Sequence, residues 1–600
     1  MAGARRGEAG ASLTRQGGSL LRIFSVVYLT AILLVVIDLS DGEPFFADVD
    51  DVLRGVQIRH LLSASGSFWD LTLPMIYSPG IYVSPWSRLV DLPYVGLSLL
   101  LTPLLGRDEA ISASLLIWPP MLLSVYGLFV AMIWRRIAPI TEGIHYLRLA
   151  AGTFAMLYAV FEFVPGRIDH HNLQIVALMA VAYGLVRFDR IGGIVVGLGT
   201  VISVAIALEG LPFLSIMFGG LLLAFLTGTT RAAETLSAAS ATICIATVPI
   251  ALALLGPSGA MSMQCDAFSG PYIGLLSGFS GASWLACRFL AGASGWVKLS
   301  VIAVASIGVL VATGIGFPEC LAGPYAGMDP LAKQLWFDRV PQEQGLLHYA
   351  GDSPLAGIVL IGIFVTILAL AAPRVLNEVR AGNPGVAVVF VTAIVSVVLA
   401  ICLLRYIRFP FVLCALFVPL ALRHLDETSS QPGRAVRSLL VVVAGVFMLT
   451  FGLWMLSRPR EIHGDAVQAM TIGDCKTSDL SVISKLGEGH LLAPPALAMS
   501  VLMTKVPSGL TVGPIPFHRA SRGMANAYTV FISPDPETRR QTLAPFDYVA
   551  VCGLPAPSEQ GSAPLYDALS AGQSWPGLVR LDTGPANPFQ LFRIDHANLH

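Results

Sequence analysis

The sequence predicts a polytopic α-helical membrane protein that carries a separate α/β domain at its C-terminal end. Charged residues make up only 12% of the 600 residues and hydrophobic residues 55%, whereas soluble domains carry about 25% charged residues. Apolar runs of roughly 17–25 residues, the length that crosses a bilayer as a helix, recur along the chain. The final segment, residues 457–600, instead alternates short apolar stretches with Pro-, Gly- and Ser-rich loops, a pattern typical of strands and short helices.

The first apolar run, Leu21–Leu39, follows an arm at residues 1–20 that is rich in Gly, Ala, Ser and Arg. Because the run is too long for a signal peptide and lacks a clear cleavage site, we expect a retained first span behind a cytoplasmic arm. Twelve further runs complete a transmembrane domain at residues 21–456, which gives thirteen predicted spans. These runs lie at 110–134, 146–164, 172–188, 191–208, 211–228, 236–256, 272–293, 299–317, 355–373, 384–404, 409–422 and 438–456.

The basic residues near the span ends support this plan. With a cytoplasmic N-terminus they fall on the cytoplasmic side, as the positive-inside rule requires. Three long segments then lie outside, at residues 40–109, 318–354 and 457–600. The chemistry is therefore expected on the outer face, where neither ATP nor sugar nucleotides are supplied. We predict a multi-pass protein of the plasma membrane, specifically a bacterial inner membrane, with its N-terminus in the cytoplasm and its C-terminal domain in the periplasm.

The charge balance gives no sign of a nucleic-acid partner. The formal net charge is −1, and the chain contains no basic tract of the kind that binds nucleic acid. Membrane lipids are the partners that the composition itself predicts.

Four of the eight cysteines fall in segments that are predicted to lie outside: Cys265, Cys320, Cys475 and Cys552. Disulfides form in such oxidising compartments, and two of them would account for all four residues. The sequence alone leaves their pairing open.

An Asp and two His residues interrupt the apolar pattern in the stretch VPGRIDHHNLQ, between two predicted spans. Imidazole and carboxylate groups together suit a divalent metal ion, and Asp169 and His171 are spaced so that both can reach one ion. The alternative is that Asp169 only caps the following helix, a role that Asp often takes. The two adjacent histidines, His170 and His171, favour the metal site.

The first outer loop contains a second candidate site, in the acidic stretch ADVDDVLRG. Asp48, Asp51 and Arg54 are spaced i, i+3, i+6 and would lie near one face of a helix that begins at the start of this stretch. Clustered carboxylates repel one another unless a cation or another charged partner is present. The stretch therefore predicts a carboxylate that binds metal or activates an acceptor, the alternative being an acidic first turn that complements the helix dipole.

Further polar residues lie at predicted span ends or in the tail. Arg405 and Arg408 either clamp a phosphate group with their planar guanidinium groups or only extend to lipid headgroups. Glu209, between two closely spaced spans, is either a buried partner of this site or a turn residue. In the tail, His518 and Arg519 either contact phosphate or sugar or lie in a solvated loop.

Together these features resemble the GT-C class of membrane glycosyltransferases, and within it the catalytic subunits of oligosaccharyltransferases. That family has the same number of spans, a cytoplasmic N-terminus, a catalytic Asp in a long first outer loop and an outside C-terminal domain. Its first-loop pattern, Asp-Pro-Trp-Phe-Asn-Tyr-Arg-Ala-Thr-Gln, shares its Asp, Arg and Gln positions with Asp48, Arg54 and Gln57. Archaeal members carry Asp-His-His in the second outer loop, where this chain has Asp169 and the two histidines that follow it.

The resemblance implies roles for the candidate residues. Asp48 is the first choice for the catalytic Asp and Asp51 the second. Asp48, Asp169 and His171 would bind Mg2+ or Mn2+. The candidates for binding the donor phosphate are Arg405 and Arg408, and those for other substrate contacts are Arg54, His170, Glu209, Glu319, His518 and Arg519.

The chain departs from the family in two motifs. The Trp-Trp-Asp-Tyr-Gly motif, which binds the Asn-x-Ser/Thr acceptor, is absent from the tail, and residues 318–354 lack a Thr-Ile-x-Glu motif, although Glu319 lies near its place. We therefore expect a glycosyltransferase that moves a sugar or oligosaccharide from a polyprenyl-phosphate-linked donor to a glycan, lipid or protein acceptor, with an acceptor outside the Asn-x-Ser/Thr class favoured.

Three alternatives to this function stay open. One is a metal-independent GT-C transferase that uses a polyprenyl-monophosphate sugar. Another is a transporter or flippase for lipid-linked saccharides, which would place its polar groups near mid-membrane. The third is a structural protein whose acidic and His residues only cap helices.

Overall fold

The structure is a computed structural model whose residues form two compact units. Unit 1 comprises Met1–Ala47, Ser87–Gly323 and Gln344–Arg458, and unit 2 comprises Asp48–Trp86, Pro324–Glu343 and Pro459–His600. Parts of two predicted outer loops thus belong to the same unit as the tail. The residues that the structure describes are 2–41, 49–138, 144–351, 354–428, 441, 443–452, 466–473, 475, 478–553, 563–584 and 587–599.

The helices are mostly long and apolar in unit 1 and short in unit 2. In chain order they are α1 (Ala2–Asp38), α2 (Val49–Leu61), α3 (Asp91–Leu105), α4 (Arg107–Ile137), α5 (Ile144–Ala155), α6 (Leu157–Val160), α7 (His171–Arg187), α8 (Arg190–Ile206), α9 (Leu211–Leu226), α10 (Ala232–Met261), α11 (Gly270–Phe289), α12 (Gly295–Gly316), α13 (Pro330–Leu335), α14 (Leu346–Ala350), α15 (Pro354–Arg380), α16 (Pro384–Cys402), α17 (Arg408–Leu413), α18 (Val418–Thr428), α19 (Val443–Gly452), α20 (Ala466–Ile472), α21 (Pro495–Met503), α22 (Ser521–Ile532), α23 (Pro536–Leu543) and α24 (Pro564–Ser570).

Among the described residues, eight helical stretches are long and apolar enough to cross a membrane. They are Leu20–Asp38, Arg107–Ile137, Leu208–Leu226, Ala232–Met261, Gly295–Gly316, Pro354–Arg380, Pro384–Cys402 and Leu404–Leu425. Shorter apolar helices, α3, α8 and α19, accompany them. The polytopic membrane class predicted from the sequence is therefore confirmed. The full count of thirteen spans and their orientation stay predictions, because helices near 146–164, 172–188 and 272–293 are shorter or less apolar.

Helix α7 is a core helix of unit 1 that packs against α4, α8 and α16. Its buried side chains, including Ile175, Leu178, Val181 and Leu185, surround the helix rather than forming one stripe, as expected for a helix enclosed by others. Its C-terminal part meets the start of α16 at Gly385, where the backbones approach closely. Helix α7 is thereby fixed along its length.

Unit 2 contains a seven-stranded sheet in the order β2-β1-β4-β3-β5-β7-β6. Strands β1, β4, β3 and β5 run parallel, while β2, β7 and β6 form antiparallel pairs towards the edges. The α/β character predicted for the tail is confirmed, and the first outer loop contributes two of the strands. The strands are β1 (Thr72–Ser78), β2 (Gly80–Val83), β3 (Gly489–Leu492), β4 (Leu510–Gly513), β5 (Tyr548–Cys552), β6 (Leu578–Leu581) and β7 (Phe589–Ile594).

Two disulfides join the four cysteines that were expected to lie outside. Cys265 pairs with Cys320 within unit 1, and Cys475 pairs with Cys552 within unit 2. The second bond ties the end of β5 to the segment that follows α20. The structure thus resolves a pairing that the sequence left open.

The close approach of α16 to α7 predicts that a methyl group added at Gly385 destabilises the protein. A Cβ at Gly385 would collide with the backbone carbonyl of Leu185, and overpacking of this kind costs about 1–3 kcal/mol. We expect Gly385→Ala to lower the apparent Tm of the purified protein in detergent. Gly362→Ala on α15 is the matched control, because nothing lies within 4 Å of its added Cβ. An equal Tm in the two variants would contradict this packing.

Candidate functional site

The Asp-His-His motif lies on a short connection between the 3-10 helix Phe161–Phe163 and α7. Gly166 has a φ of 89°, a conformation that glycine adopts without steric cost, and the chain turns there. The side-chain amide of Asn172 donates to the backbone oxygen of Arg167 at 3.0 Å and closes this turn. Because α7 begins at His171, the motif is held against the first turn of a core helix.

Asp169, His170 and His171 are all buried, with exposed fractions of 1%, 4% and 2%. Asp169 Oδ1 lies 2.5 Å from His170 Nδ1, and Asp169 Oδ2 lies 3.1 Å from His171 Nε2. One ligand atom from each residue lies within 4.8 Å of the others. A carboxylate between two imidazoles is a candidate metal site, since these are groups that divalent metals use.

The Asp169 carboxyl is ionised at neutral pH. Burial acts to raise its pKa, but the neighbouring His170 and His171 rings, a hydrogen bond from His170 and the charge of Arg167 bring the pKa well below its usual value. Asp169 is therefore available as an anionic ligand.

Glu209 extends the cluster from a second break in the helices, the 3-10 helix Leu208–Gly210 between α8 and α9. Its Oε2 lies 3.4 Å from His171 Nδ1. Gln174, one turn further along α7 than His171, donates from Nε2 to the backbone oxygen of Ala207 at 3.3 Å. The Glu209 segment is thus fixed to the helix that carries the histidines, and Glu209 lies beside His171; its role in substrate contact stays a prediction.

The two predicted phosphate-binding arginines, Arg405 and Arg408, lie at a third interruption of the long helices. Arg405 lies on the 3-10 helix Leu404–Tyr406, and Arg408 is the first residue of α17. Arg405 Nη1 lies 3.9 Å from Glu209 Oε1, and Arg408 Nη1 lies 3.3 Å from Glu162 Oε1. Glu162 also accepts a hydrogen bond of 2.7 Å from Arg167 Nη2. Three arginines and three carboxylates therefore converge beside the two histidines.

The contacts of the two His171 ring nitrogens show whether this cluster fits a cation. These nitrogens lie 3.1 and 3.4 Å from carboxylate oxygens of Asp169 and Glu209, yet within the described part of the chain neither nitrogen makes a hydrogen bond. A neutral imidazole has one N–H, so its other nitrogen would face a carboxylate as acceptor against acceptor. A divalent cation between the imidazole and a carboxylate removes that conflict, and the residues present therefore fit such an ion.

Two candidates of the first outer loop lie in unit 2, and a third lies outside the described residues. Asp51 is part of the acidic first turn of α2, together with Asp50. Arg54 is fully buried, with its guanidinium carbon 4.5 Å from the centre of the Trp86 ring. Asp48 is the candidate outside the described residues. The catalytic and substrate roles of all three stay predictions.

The remaining candidates belong to unit 2 or to other segments of unit 1. In unit 2, the ring of His518 packs edge-on against Tyr325, with centroids 5.3 Å apart. Arg519 Nη1 donates to the backbone oxygen of Val83 at 3.3 Å, a contact that supports β2. In unit 1, Glu319 is exposed on the 3-10 helix that follows α12. Their substrate contacts stay predictions.

Glu162, Arg167 and Gln174 were not among the predicted site residues. Glu162 could have been found as a lone carboxylate inside the apolar stretch YAVFEFV, because such a charge is costly at membrane depth unless it is paired. Arg167 stands two residues before Asp169, and its spacing gave no indication of its partner. Gln174 is marked only by its position one turn after His171.

Three solved structures of an archaeal oligosaccharyltransferase from Archaeoglobus fulgidus are similar to this chain. AglB in complex with an inhibitory peptide and a dolichol-phosphate gives a TM-score of 0.61 at 12% identity, over 89% of this chain and 69% of that chain. The enzyme tethered to an acceptor peptide containing the NVT sequon gives 0.60 at 12% identity, over 96% and 74%. The complex with Zn and sulfate gives 0.58 at 12% identity, over 96% and 73%.

No protein-family model and no curated protein sequence matches the chain. At this level of identity the similarity concerns the fold. The GT-C membrane glycosyltransferase fold that the sequence motifs indicated is confirmed.

The buried cluster predicts metal binding that depends on two residues. We expect purified protein in detergent to bind Mn2+, and Asp169→Ala and His171→Ala each to weaken this binding by more than about tenfold, since loss of even an outer-shell partner costs that much. The measurement is a Mn2+ titration followed by electron paramagnetic resonance.

Asp189→Asn is the matched control for this titration. Asp189 pairs with Arg187 at 2.8 Å at the opposite end of α7, so its loss should leave Mn2+ binding unchanged. Equal and negligible binding by the wild type and all variants would exclude the metal site.

Proposed function

We propose that this protein is a glycosyltransferase that moves a sugar or oligosaccharide from a polyprenyl-phosphate-linked donor to an acceptor on the outer face of the plasma membrane. The observation that carries the proposal is the cluster in which the buried Asp-His-His motif, a candidate cation site, adjoins Arg405 and Arg408. Cation ligands and guanidinium groups side by side suit a phosphate ester that must be bound and then accept charge as it leaves.

The arginines support a lipid-linked donor. Arg405 and Arg408 lie at the beginning of the candidate span Leu404–Leu425, so an anion held there would sit next to the bilayer with its lipid tail inside the membrane. Guanidinium groups match phosphate oxygens in geometry and charge. The similar archaeal enzyme was solved with a dolichol-phosphate, which agrees with this assignment of the donor.

The cation site is assigned to Asp169 and His171, with His170 as a further ligand and Mg2+ or Mn2+ as the ion. When bound, the ion would stabilise negative charge on the departing phosphate as a Lewis acid. Glu209 would keep the His171 ring in place and would share Arg405 with the donor phosphate. The same fold in the archaeal enzyme was solved with Zn and sulfate, a divalent metal and an oxyanion.

The acceptor side is assigned to the acidic stretch of the first outer loop. Asp48, or Asp51 in its place, would orient the acceptor nucleophile and take its proton as a general base. Asp50, which stands between them in the sequence, is a further candidate for this role. This assignment rests on the sequence pattern of the stretch and on the offsets to Arg54 and Gln57.

The acceptor itself is proposed to be a glycan or lipid rather than an Asn-x-Ser/Thr peptide. The chain has no Trp-Trp-Asp-Tyr-Gly motif, and α21, which follows the central strand β3, consists of small and apolar residues that are buried through Leu502. Such a helix offers a peptide side-chain amide only the hydroxyl of Ser500, which is itself buried. A protein acceptor of another kind is the less favoured outcome.

The proposal predicts a transfer reaction that needs both the Asp-His-His motif and the two arginines, Arg405 and Arg408. With synthetic polyprenyl-diphosphate and polyprenyl-monophosphate sugars as donors and envelope glycolipids as acceptors, we expect Arg408→Gln to lower kcat/KM by about a hundredfold, the typical cost of losing one group that stabilises developing charge. EDTA should abolish transfer and Mn2+ should restore it. The product is measured by mass spectrometry of the glycosylated acceptor.

Arg187→Gln, at the far end of α7, is the control and should retain wild-type activity. Transfer that persists in EDTA would favour the metal-independent transferase instead. Movement of the donor across vesicle membranes without any new glycosidic bond would indicate a flippase and overturn the proposal.

A further inference from the structure

Glu162 is a buried carboxylate with two arginine neighbours that it contacts in different ways. It lies on the 3-10 helix Phe161–Phe163 and is 2% exposed. Its Oε2 accepts a hydrogen bond of 2.7 Å from Arg167 Nη2. Its Oε1 lies 3.3 Å from Arg408 Nη1, but this second contact lacks the geometry of a hydrogen bond.

The charge of Arg408 is therefore balanced by Glu162, but the hydrogen-bonding capacity of its guanidinium is not fully used. Arg408 is 6% exposed, and among the described residues neither its Nε nor its Nη1 has a hydrogen-bond partner. A buried polar group without a partner is costly. Such a guanidinium is suited to a ligand that brings its own oxygen acceptors, while Glu162 supplies the counter-charge until that ligand arrives.

We propose that Glu162 is a positioning residue that acts as a resident counter-ion of Arg408 and limits how tightly the site holds a phosphate group. The inference rests on the proposed function, in which a polyprenyl phosphate is bound as donor and released as product. Two anions beside one guanidinium repel each other, so the phosphate and Glu162 share Arg408. Glu162 thereby keeps Arg408 in place in the empty site and favours release of the product.

This role differs from a structural one in the sign of its effect on binding. If the carboxylate only held the fold together, its removal would weaken phosphate binding or leave it unchanged. A counter-ion that competes with the ligand makes binding tighter when it is removed, because the phosphate then becomes the main anionic partner of Arg408. Tighter product binding would in turn slow multiple turnover, since product release limits many enzymes.

The test uses decaprenyl phosphate titrated into the full-length protein in detergent, with the dissociation constant as the readout. We expect Glu162→Gln to lower the Kd by about ten- to hundredfold, the effect of removing one unit charge several ångströms away at an effective dielectric constant of about 20–40. The rate of a single turnover should change less than the steady-state kcat. Asp189→Asn, which removes the acid of the separate Arg187–Asp189 pair at the C-terminal end of α7, should bind like the wild type.

A second variant covers the case in which Glu162→Gln does not fold. Glu162→Asp keeps the negative charge but draws the carboxylate back by one methylene from both arginines, and it should lower the Kd by roughly threefold for the same Coulombic reason. Inorganic phosphate, titrated in parallel, separates the effect on the headgroup from that on the lipid tail and should show the same order of affinities.

The outcomes separate this inference from the proposed function. If the wild type binds decaprenyl phosphate but Glu162→Gln and Glu162→Asp bind it equally or more weakly, the counter-ion role is wrong while the proposed function stands. If the wild type neither binds decaprenyl phosphate nor transfers sugar, the proposed function is wrong and the inference fails with it. Tighter binding by the Glu162 variants, with Asp189→Asn unchanged, supports both.

Discussion

The balance of charge inside an apolar protein is the constraint on which the rest of unit 1 depends. Arg167, Arg408, Glu162 and Asp169 are buried almost completely, and an isolated charge in such surroundings costs several kcal/mol. Each of them has a partner of opposite charge or an imidazole within about 3.5 Å. The segments that carry these residues must therefore stay together, and the positions of the surrounding helices follow from that requirement.

The charged residues enter the cluster where the helices are interrupted. Glu162, Glu209 and Arg405 all lie on short 3-10 helices, at Phe161–Phe163, Leu208–Gly210 and Leu404–Tyr406. Irregular backbone at membrane depth is tolerated only where it is enclosed by protein or lines a polar space, and 3-10 segments inside longer helices often mark functional places. Each interruption frees backbone groups and places a polar side chain at the same point. The packing of the regular helical parts holds these three interruptions close to one another.

The sequence predicted the membrane class, the α/β tail and the Asp-His-His motif because each depends on residues close together in the chain. Apolar length reports a span directly, and Asp169 and His171 are neighbours on one turn. The partnership of Glu162 with Arg408 joins residues far apart in sequence, and Glu162 stands within an apolar run that reads as a plain span. The same holds for Glu209 and Arg405, whose pairing depends on helix packing that no local pattern encodes. Similarly, only the fold could show that the first-loop strands β1 and β2 join the sheet of the tail.

Glu209 links the two halves of the candidate site. Its Oε2 is directed to His171 and its Oε1 to Arg405, so one carboxylate contacts both the histidine to which we assign the cation and the guanidinium to which we assign the phosphate. A cation at the histidines would draw Glu209 towards itself and weaken its hold on Arg405, and Arg405 would then be freer to contact a phosphate. Cation and anion would thus favour each other through a shared carboxylate as well as through direct attraction. Among the described residues, the ion pairs of Glu162 are both with arginines, so in our proposal it opposes the anion without a matching contact to the cation ligands.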